Sequence, residues 1–527
     1  MEHFEIFLAA LFISVAGLNV LARRISVPYP IPLVIGGVVL GLLPGMPEIE
    51  LDPDLVLLVF LPPLLYSAAF FSDLRALRYN ARPISMGAIG LVLATTGAVA
   101  VVAHEVIGTS WALSFALGAI VSPTDPVAAT AIMRNVGAPR RIVNLIEGES
   151  LVNDATALVA YRVAVAAAVG GTFSAVDAGL EFLLAAAGGV AIGLAVGFVI
   201  GEIRRRLEDP VTEITISLLT AYAAFIPADE LGLSGVLAAV SAGVYLGWRA
   251  PELISPETRL QAFGTWEVLI FLLNATLFIL IGLQLPVIVD GLQGTPTGEV
   301  VGYSALVCAT VIGMRFLWLF TMPYVIRLLD RRPSQRERRV GIGERIVFGW
   351  SGMRGAVSLA AALALPLETD AGAPLPDRDL ILFITFALIF VTVVGQGLTL
   401  PALIRRLGVV EDGSELEEEE LRARYKAAQA AIERLEELED EDWARNETLE
   451  RMKGLYRFRQ RRVKTRAGKI EDDGIEDQSQ AYQRVVHEVA SAQRAELVLL
   501  RNRGEISADV MRMVERELDL EEARLEI

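Results

Sequence analysis

The sequence predicts an all-α, polytopic membrane protein that ends in a charged helical tail. Of its 527 residues, 53% are hydrophobic, and the mean hydropathy is +0.49, a value above that of soluble proteins. Apolar windows of spanning length recur along residues 1–410. Residues 411–527 hold 31 of the 63 acidic residues and 21 of the 47 basic ones. We therefore expect a transmembrane domain over residues 1–410 and a cytoplasmic helical domain over residues 411–527.

Thirteen windows reach the length of about 20 residues that a helix needs to cross a bilayer. The first begins after an acidic start and ends at Arg23 and Arg24, which favours a transmembrane helix over a cleaved signal peptide. The windows fall at residues 4–22, 30–46, 54–72, 83–104, 110–133, 146–169, 178–201, 211–227, 232–248, 264–288, 298–327, 343–366 and 378–404.

The connections between the windows predict the orientation of the chain. Those after odd-numbered windows are basic, as in DLRALRYNAR (73–82), EIRRRLEDP (202–210) and RLLDRRPSQRERR (327–339). Those after even-numbered windows are acidic or rich in Gly and Pro, as in PGMPEIELDPD (44–54) and VDGLQGTPTGE (289–299). Because basic loops stay in the cytoplasm, we expect a cell-membrane protein with its N-terminus outside and its tail in the cytoplasm.

An odd number of windows permits two six-helix repeats of opposite orientation, windows 1–6 and 8–13, joined by one linking helix. The fifth window of each half contains residues that interrupt a helix: SPTDPVAAT (122–130) in the first half and GWSGMRGAVS (349–358) in the second. Interrupted helices at matching positions indicate the midplane binding site of a secondary transporter. We therefore predict unwound helices in windows 5 and 12.

The first break combines two prolines with an acid. Pro123 and Pro126 lack an N–H and disfavour helix in the preceding residue, so the helix should open around Thr124 and Asp125. Opened backbone at membrane depth is tolerated where it is buried in protein or lines a water-filled cavity. A proline kink with an N-capping aspartate is the alternative, and the matching break in window 12 argues against it. The carbonyl, hydroxyl and carboxylate oxygens predict a site for Na⁺ or a similar cation.

Window 6 begins with EGESLVNDATALVAYR (147–162), in which three acids precede an apolar run. Glu147 suits a helix N-terminus at the membrane surface. Ser150 and Asp154 are four residues apart and share a helix face, with Asn153 beside them. A charged side chain two turns into a span is by default functional. One such carboxylate can hold either a proton or a cation, which is the chemistry of exchange.

Window 12 carries Arg354 between two glycines in an apolar run. Arginine stays charged at any relevant pH, so a buried one needs a partner. Glu149, Asp125 and Asp154 are the acids available, and spacing does not choose among them. Arg315 in window 11 is expected to be structural, and Arg162 in window 6 is assigned no role.

These stretches, ESLVND with TDP and GMRGAV, resemble the monovalent cation/proton antiporter family, which includes animal sodium/proton exchangers and bacterial and archaeal sodium/proton antiporters. The resemblance covers about residues 1–410. It implies a homodimer in which a core domain with two crossed, unwound helices moves against a dimerisation domain. The site residues that it implies are Asp154 as the exchanging carboxylate with Asn153 as its neighbour, Asp125, Thr124 and Ser150 as further cation ligands, and Glu149 with Arg354 as a structural ion pair.

One position departs from the family pattern. Several relatives have an acid shortly after LPPLL in the third window, whereas this chain reads LPPLLYSAAFF, with Ser67 at that position. The departure removes one possible contribution to the cation site and bears on the preference between Na⁺ and K⁺.

The function that we expect is electroneutral exchange of Na⁺, or of Li⁺ or K⁺, for H⁺ by alternating access, with a role in pH homeostasis. A K⁺/H⁺ antiporter, a cation channel and a sodium-coupled solute symporter are the alternatives. Few aromatic or amide groups are available for an organic solute. The sequence contains no pairing of a nucleophile with a base, and no metal-ligand spacing, that would indicate an enzyme. We expect no cofactor and no nucleic-acid partner.

The tail reads as two helical stretches. Residues 414–445 have apolar positions spaced by three and four with many acid–base pairs. A basic block, YRFRQRRVKTRAGK (456–469), precedes a break at EDDGIEDQ (471–478). Contact with anionic lipid is possible for such a block, but the neighbouring acids favour a solvated, paired helix face. The composition is typical of a regulatory or dimer-contacting domain.

Overall fold

The computed structural model describes residues 2–25, 27–43, 56–170, 175–207, 209–292, 296–329, 340–370, 372–411 and 413–523. Within these ranges the regular structure is helical, apart from one isolated bridge between Glu368 and Pro374. The all-helical prediction is confirmed. The chain forms two compact units, Met1–Glu411 and Asp412–Ile527. The connection 44–54, residues 330–339, residues 293–295 and residue 208, all parts of the predicted loops, lie outside the described residues.

The first unit consists of helices α1 to α17, counted over the described residues. Among them, eight stretches are long and apolar enough to cross a membrane, and α2 and α3 are shorter apolar helices. The helices are α1 (Glu2–Arg24), α2 (Pro30–Gly41), α3 (Val56–Phe70), α4 (Leu74–Tyr79), α5 (Ala81–Ile107), α6 (Trp111–Val121), α7 (Pro126–Val136), α8 (Arg140–Gly170), α9 (Ala175–Arg204), α10 (Pro210–Glu230), α11 (Gly235–Leu253), α12 (Pro256–Leu283), α13 (Leu285–Asp290), α14 (Thr297–Leu329), α15 (Ile342–Trp350), α16 (Ala356–Leu363) and α17 (Arg378–Arg406).

The main packing contacts of this unit fall into two groups of helices. In one group α11 packs on α9, α3 and α10, and α12 packs on α2; in the other α6 packs on α5 and α8, and α14 packs on α5 and α17. Glycines allow the closest approach: a Cβ at Gly37 would meet the α12 backbone at Ile279, and one at Gly282 would meet the α2 backbone. Small residues let helices approach closely where lipid provides no hydrophobic driving force.

Both predicted helix breaks are present. The chain leaves helical conformation between α6 and α7 and again between α15 and α16. Asp125 caps α7, because its Oδ1 accepts a hydrogen bond of 2.9 Å from the Val127 N–H. Its own N–H donates to the Met353 carbonyl at 2.8 Å. The two breaks therefore meet, and each satisfies part of the backbone that the other leaves open.

Over residues 413–523 the second unit contains four α-helices: α18 (Ser414–Glu437), α19 (Asn446–Arg466), α20 (Ile475–Asn502) and α21 (Ala508–Ala523). Its basic block is paired with acids, as the sequence indicates. Glu476 accepts hydrogen bonds from Arg462 and Arg466, and Arg461 contacts Asp473. These bonds join α19 to the start of α20.

The two arginines lower the pKa of Glu476 from 4.5 to about 2, since both donate hydrogen bonds to its carboxylate. The bonds should therefore stabilise the tail above pH 4.5, and this contribution should be lost as the pH falls toward 2. We predict that Glu476→Gln in the full-length protein costs about 1–2 kcal/mol after solvent screening, which is about a 5- to 30-fold loss of protection against hydrogen exchange in α19 and α20 at pH 7.

The control is Glu496→Gln, since Glu496 is an exposed acid on α20 without an ion pair to the described residues. It should leave protection unchanged. Equal effects of the two variants at pH 7, or a difference that persists at pH 2, would show that the pairing with Arg462 and Arg466 does not hold the helices together.

Candidate cation site

A cavity of about 630 Å³ lies against the first helix break. Thr124 and Asp125 of the break, Ser150 and Asp154 of α8, and residues 355–358 after the second break line it. Of the residues that line it, Arg134 and Phe71 have exposed side chains, whereas Phe60 and Leu277 are buried. The sequence-predicted ligands Thr124, Asp125, Ser150 and Asp154 are thus brought to one cavity.

Close contact between the breaks depends on Gly355. A Cβ at this position would collide with the Asp125 carboxylate, so no other residue fits without displacing the acid. The glycine therefore allows the second break to lie directly beside Asp125. The second glycine of GMRGAV is therefore needed for this approach.

Asn153 connects α8 to the first break. Its Nδ2 donates to the Thr124 carbonyl at 3.1 Å and to the Thr124 Oγ1 at 2.9 Å, and all of these groups are buried. Thr124 Oγ1 in turn donates to Glu149 Oε1 at 3.2 Å. The amide of Asn153 thus supports the opened backbone, while its Oδ1 has no hydrogen-bond partner among the described residues.

Asp154 differs from the other acids of α8. It is 7% exposed, lines the cavity, and its carboxylate makes no hydrogen bond or ion pair within the described part of the chain. By contrast, Glu147 pairs with Arg134 at 2.6 Å. Asp154 and Asp125 therefore present two carboxylates to one cavity, and Ser150 and Thr124 add hydroxyl oxygens. This oxygen set suits a small hard cation or a proton.

The predicted pairing of Glu149 with Arg354 is wrong in the structure, which pairs Glu149 with Arg315. Arg315 Nη1 lies 2.6 Å from Glu149 Oε1, and both side chains are at most 4% exposed. The Arg315 guanidinium also stacks over the Phe348 ring at 4.9 Å and bonds to the Phe348 carbonyl. Sequence spacing could not find this partner, because only the packing of both α14 and α8 on α5 brings the two groups together.

Arg354 serves the helix break instead. Its Nε donates to the Val121 carbonyl at 3.1 Å, and its Nη1 contacts the Gly352 carbonyl. Val121 is the last residue of α6, where helix carbonyls lack intrahelical partners and a positive charge is favoured. The backbone N–H of Arg354 donates to Thr392 Oγ1 at 3.1 Å. The guanidinium therefore stabilises opened backbone in both breaks.

Arg162 lies outside the cavity, whereas Ser67 is one of its lining residues. Arg162 pairs with Asp229 at 2.5 Å, with both side chains nearly half exposed, and neither lines the cavity. Ser67 does line the cavity, is 2% exposed and donates its hydroxyl to the Leu64 carbonyl at 3.0 Å.

Sequence reasoning missed Asn274 of α12, another polar cavity residue, although an amide in the apolar run FLLNATLF was a visible signal.

Comparison with known proteins gives a consistent set of similarities. The family model of the transmembrane sodium/hydrogen exchanger matches residues 8–406. An uncharacterised Na⁺/H⁺ exchanger of Mycobacterium tuberculosis is 36% identical over 98% of this chain and 95% of its own length. A sodium, potassium, lithium and rubidium/H⁺ antiporter of Bacillus subtilis is 33% identical over 76% of this chain and 62% of its own length.

The fold is similar to that of a solved structure. The sodium proton antiporter MjNhaP1 of Methanocaldococcus jannaschii at pH 8 superposes with a TM-score of 0.60, covers 78% of this chain and all of its own, and is 18% identical. At this identity the similarity concerns the fold alone.

The corrected ion pair leads to a prediction. Removing one partner of a buried pair leaves the other charge uncompensated, at a cost of about 3–5 kcal/mol. We expect Glu149→Gln and Arg315→Met each to lower the thermal stability of detergent-purified protein strongly, and the double variant to recover about 2 kcal/mol relative to additivity. Fluorescence-detected size-exclusion chromatography after heating measures this.

The matched cycle uses Arg354→Met in place of Arg315→Met. It should show a smaller coupling to Glu149→Gln, since Arg354 bonds to backbone carbonyls. A larger coupling with Arg354 than with Arg315 would reject the assignment of the ion pair.

Proposed function

The chain belongs to the transmembrane sodium/hydrogen exchanger family, and from this membership we propose the mechanism by which it acts. It is a multi-pass membrane protein and a secondary antiporter that exchanges Na⁺ for H⁺. The observation that supports a mechanism is that two carboxylates, Asp154 and Asp125, line one cavity beside two helix breaks. In our proposal the cation and the proton compete for Asp154, with Asp125, Thr124 and Ser150 as further ligands.

The lack of a partner for Asp154 within the described residues supports its role as the exchanging group. A carboxylate that is tied to an arginine stays ionised, whereas one removed from water without a partner readily takes a proton and loses it when a cation binds. Occupation by the cation therefore excludes the proton, and the reverse holds as well. Competition at one carboxylate couples the two fluxes.

The charges around the breaks favour an electroneutral exchange. Glu149, Asp125 and Asp154 carry three negative charges, and Arg315 and Arg354 carry two positive ones. The empty site thus has a net charge of about −1, which one monovalent cation or one proton neutralises. We therefore propose a stoichiometry of one cation per proton.

Alternating access follows from the position of the cavity between the helix groups. Three of the residues that line the cavity, Arg134, Glu147 and Glu267, are next to the basic connections in the sequence. With the N-terminus outside and the tail in the cytoplasm, these connections are on the cytoplasmic side, and the conformation faces inward. The group containing α6, α7, α8, α15 and α16 would move against the group containing α2, α3 and α12.

The same proposal includes thirteen membrane spans, two inverted repeats and a homodimer. A described helix lies within each of the thirteen sequence windows, which supports thirteen spans. The two breaks fall in the fifth window of each half, which supports two inverted six-helix repeats. A homodimer at the cell membrane is implied by the family resemblance, and the exposed apolar side chains of Leu183, Leu184 and Phe198 on α9 give it a surface that faces lipid or a second copy.

The preference among cations follows from relatives and from Ser67. The printed name of the Bacillus subtilis relative includes potassium, lithium and rubidium besides sodium. Because Ser67 supplies a hydroxyl where an acid stands in several relatives, the site has fewer charges to compensate the dehydration of a small ion. We propose Na⁺ as the main substrate, with Li⁺ and K⁺ also transported. Exchange of K⁺ for H⁺ alone is the second candidate.

The role of Asp154 can be tested in proteoliposomes that contain a pH-sensitive dye. Addition of Na⁺ should drive a pH change in wild-type liposomes, and Asp154→Asn should reduce it to the protein-free background, because the amide keeps the shape and loses the exchangeable charge. Asp229→Asn is the control, since Asp229 lies outside the cavity. Transport at the wild-type rate in Asp154→Asn would reject the assignment, and an inactive wild type would reject antiport.

The stoichiometry can be tested by a null-point titration at zero membrane potential. For one cation per proton, a difference of one pH unit should be balanced by about a tenfold Na⁺ gradient in the same direction as the H⁺ gradient, since the two ions cross in opposite directions and each factor of ten is the same free energy for both. A balance at about a hundredfold would indicate two protons per cation and would contradict the charge count.

A further inference from the structure

The face of α12 that lines the cavity is apolar except at two positions. Glu267 is exposed, and Asn274, about two turns further along α12, is buried. The residues on this face are Phe263, Glu267, Ile270, Phe271, Asn274, Leu277 and Phe278. An amide among aromatic and aliphatic side chains needs a specific reason, because Leu at the same position would pack equally well.

Asn274 is enclosed but has no protein partner. It is 4% exposed, lines the cavity, and makes no hydrogen bond or ion pair with the described part of the chain. Its amide oxygen and nitrogen are nevertheless not fully enclosed and remain accessible from the cavity. The cavity is the direction from which a partner can reach it, so its hydrogen-bonding groups are available to whatever the cavity holds.

The position of α12 places this amide on a different wall from the carboxylates. Asp125 and Asp154 belong to the helix group around the breaks, whereas α12 packs on α2 in the other group. Tyr29, at the start of α2, also lines the cavity and makes an edge contact with Phe271 at 5.5 Å between ring centroids. This contact supports the α12 face within one turn of Asn274.

We propose that Asn274 is a specificity-determining residue of the transport site, whose amide oxygen gives the cation a neutral ligand, directly or through one water. The inference rests on the proposed function and adds to it a group from the opposing helix group. An amide oxygen coordinates a cation but does not take up a proton in the physiological range. Asn274 therefore strengthens cation binding without strengthening proton binding.

Ion size decides how much each cation gains from this oxygen. The attraction between a cation and an oxygen dipole increases as their distance decreases, so Li⁺ and Na⁺ gain more than K⁺. Ser67 lines the same cavity, but its hydroxyl already donates to Leu64. Asn274 is thus the uncommitted neutral ligand on the α12 wall among the described residues.

The test compares Asn274→Leu with wild type in proteoliposomes under Na⁺, Li⁺ and K⁺ gradients. We expect the apparent KM for Na⁺ and Li⁺ to rise about three- to tenfold and the KM for K⁺ to change less, with the maximal rate at saturating Na⁺ retained. Asn274→Asp retains an oxygen at this position and should keep the KM for Na⁺ at or below the wild-type value at alkaline pH.

The matched control is Asn80→Leu. Asn80 is also a buried asparagine of the first unit, but its Nδ2 donates to the Ala76 carbonyl and it does not line the cavity. This variant should leave all three KM values unchanged, even if it lowers the amount of folded protein.

The outcomes separate this inference from the function on which it rests. Unchanged ratios among the three KM values in active Asn274→Leu would overturn the ligand role, and so would a loss of thermal stability without a change in the ratios. If Asn274→Leu does not fold, Asn274→Asp decides, because a KM for Na⁺ well above wild type at alkaline pH contradicts an oxygen ligand. Absence of exchange in wild type would instead reject the antiporter function itself.

Discussion

The carboxylate of Glu149 anchors the first helix break, and the geometry of the site depends on it. One of its oxygens receives both the Arg315 guanidinium and the Thr124 hydroxyl. Thr124 is also held by Asn153. Glu149 and Asn153, one turn apart on α8, thus both form hydrogen bonds with Thr124 of the break. The adjacent Asp125 is positioned as a consequence. Without a compensating arginine, Glu149 would be an uncompensated charge at membrane depth, and its hydrogen bond with Thr124 would be lost.

The two buried arginines, Arg315 and Arg354, have different roles although their surroundings are similar. Arg315 neutralises a carboxylate, whereas Arg354 supplies donors to carbonyls that the interrupted helices leave open. An interrupted helix in a membrane must have its free backbone groups satisfied by protein or water. The direct bond from Asp125 N–H to the Met353 carbonyl and the bonds of Arg354 divide this requirement between the two breaks. Each break thus satisfies backbone groups of the other, which is a physical reason for their occurrence as a pair.

Sequence reasoning found the features that depend on local chemistry. Pro123, Pro126 and the glycines around Arg354 predict where helices open, because their effect on backbone conformation is local. The depth of Asp154 within an apolar run indicated an acid that needs a functional reason. The partner of Glu149 was missed because Arg315 is 166 residues away, and helix packing decides which of several arginines comes within reach. Asn274 was missed for the same reason: the face of α12 that lines the cavity follows from the packing of α12 against α2.

The net charge of the site offers a reason for tight coupling. In the overall count, Arg315 balances the charge of Glu149 and Arg354 balances that of one aspartate. The empty site therefore keeps about one negative charge, and moving that charge through the low-dielectric part of the membrane is costly. A bound proton or a bound monovalent cation removes it. In our proposal the loaded forms therefore change conformation more readily than the empty form, and each conformational change carries one ion across. In the proposed mechanism, the neutral ligands Ser150 and Asn274 would adjust which ion is held without altering this balance, so that selectivity and coupling would depend on different residues. An additional carboxylate in place of Ser67 would change both at once, because it would alter the charge that a single cation has to neutralise.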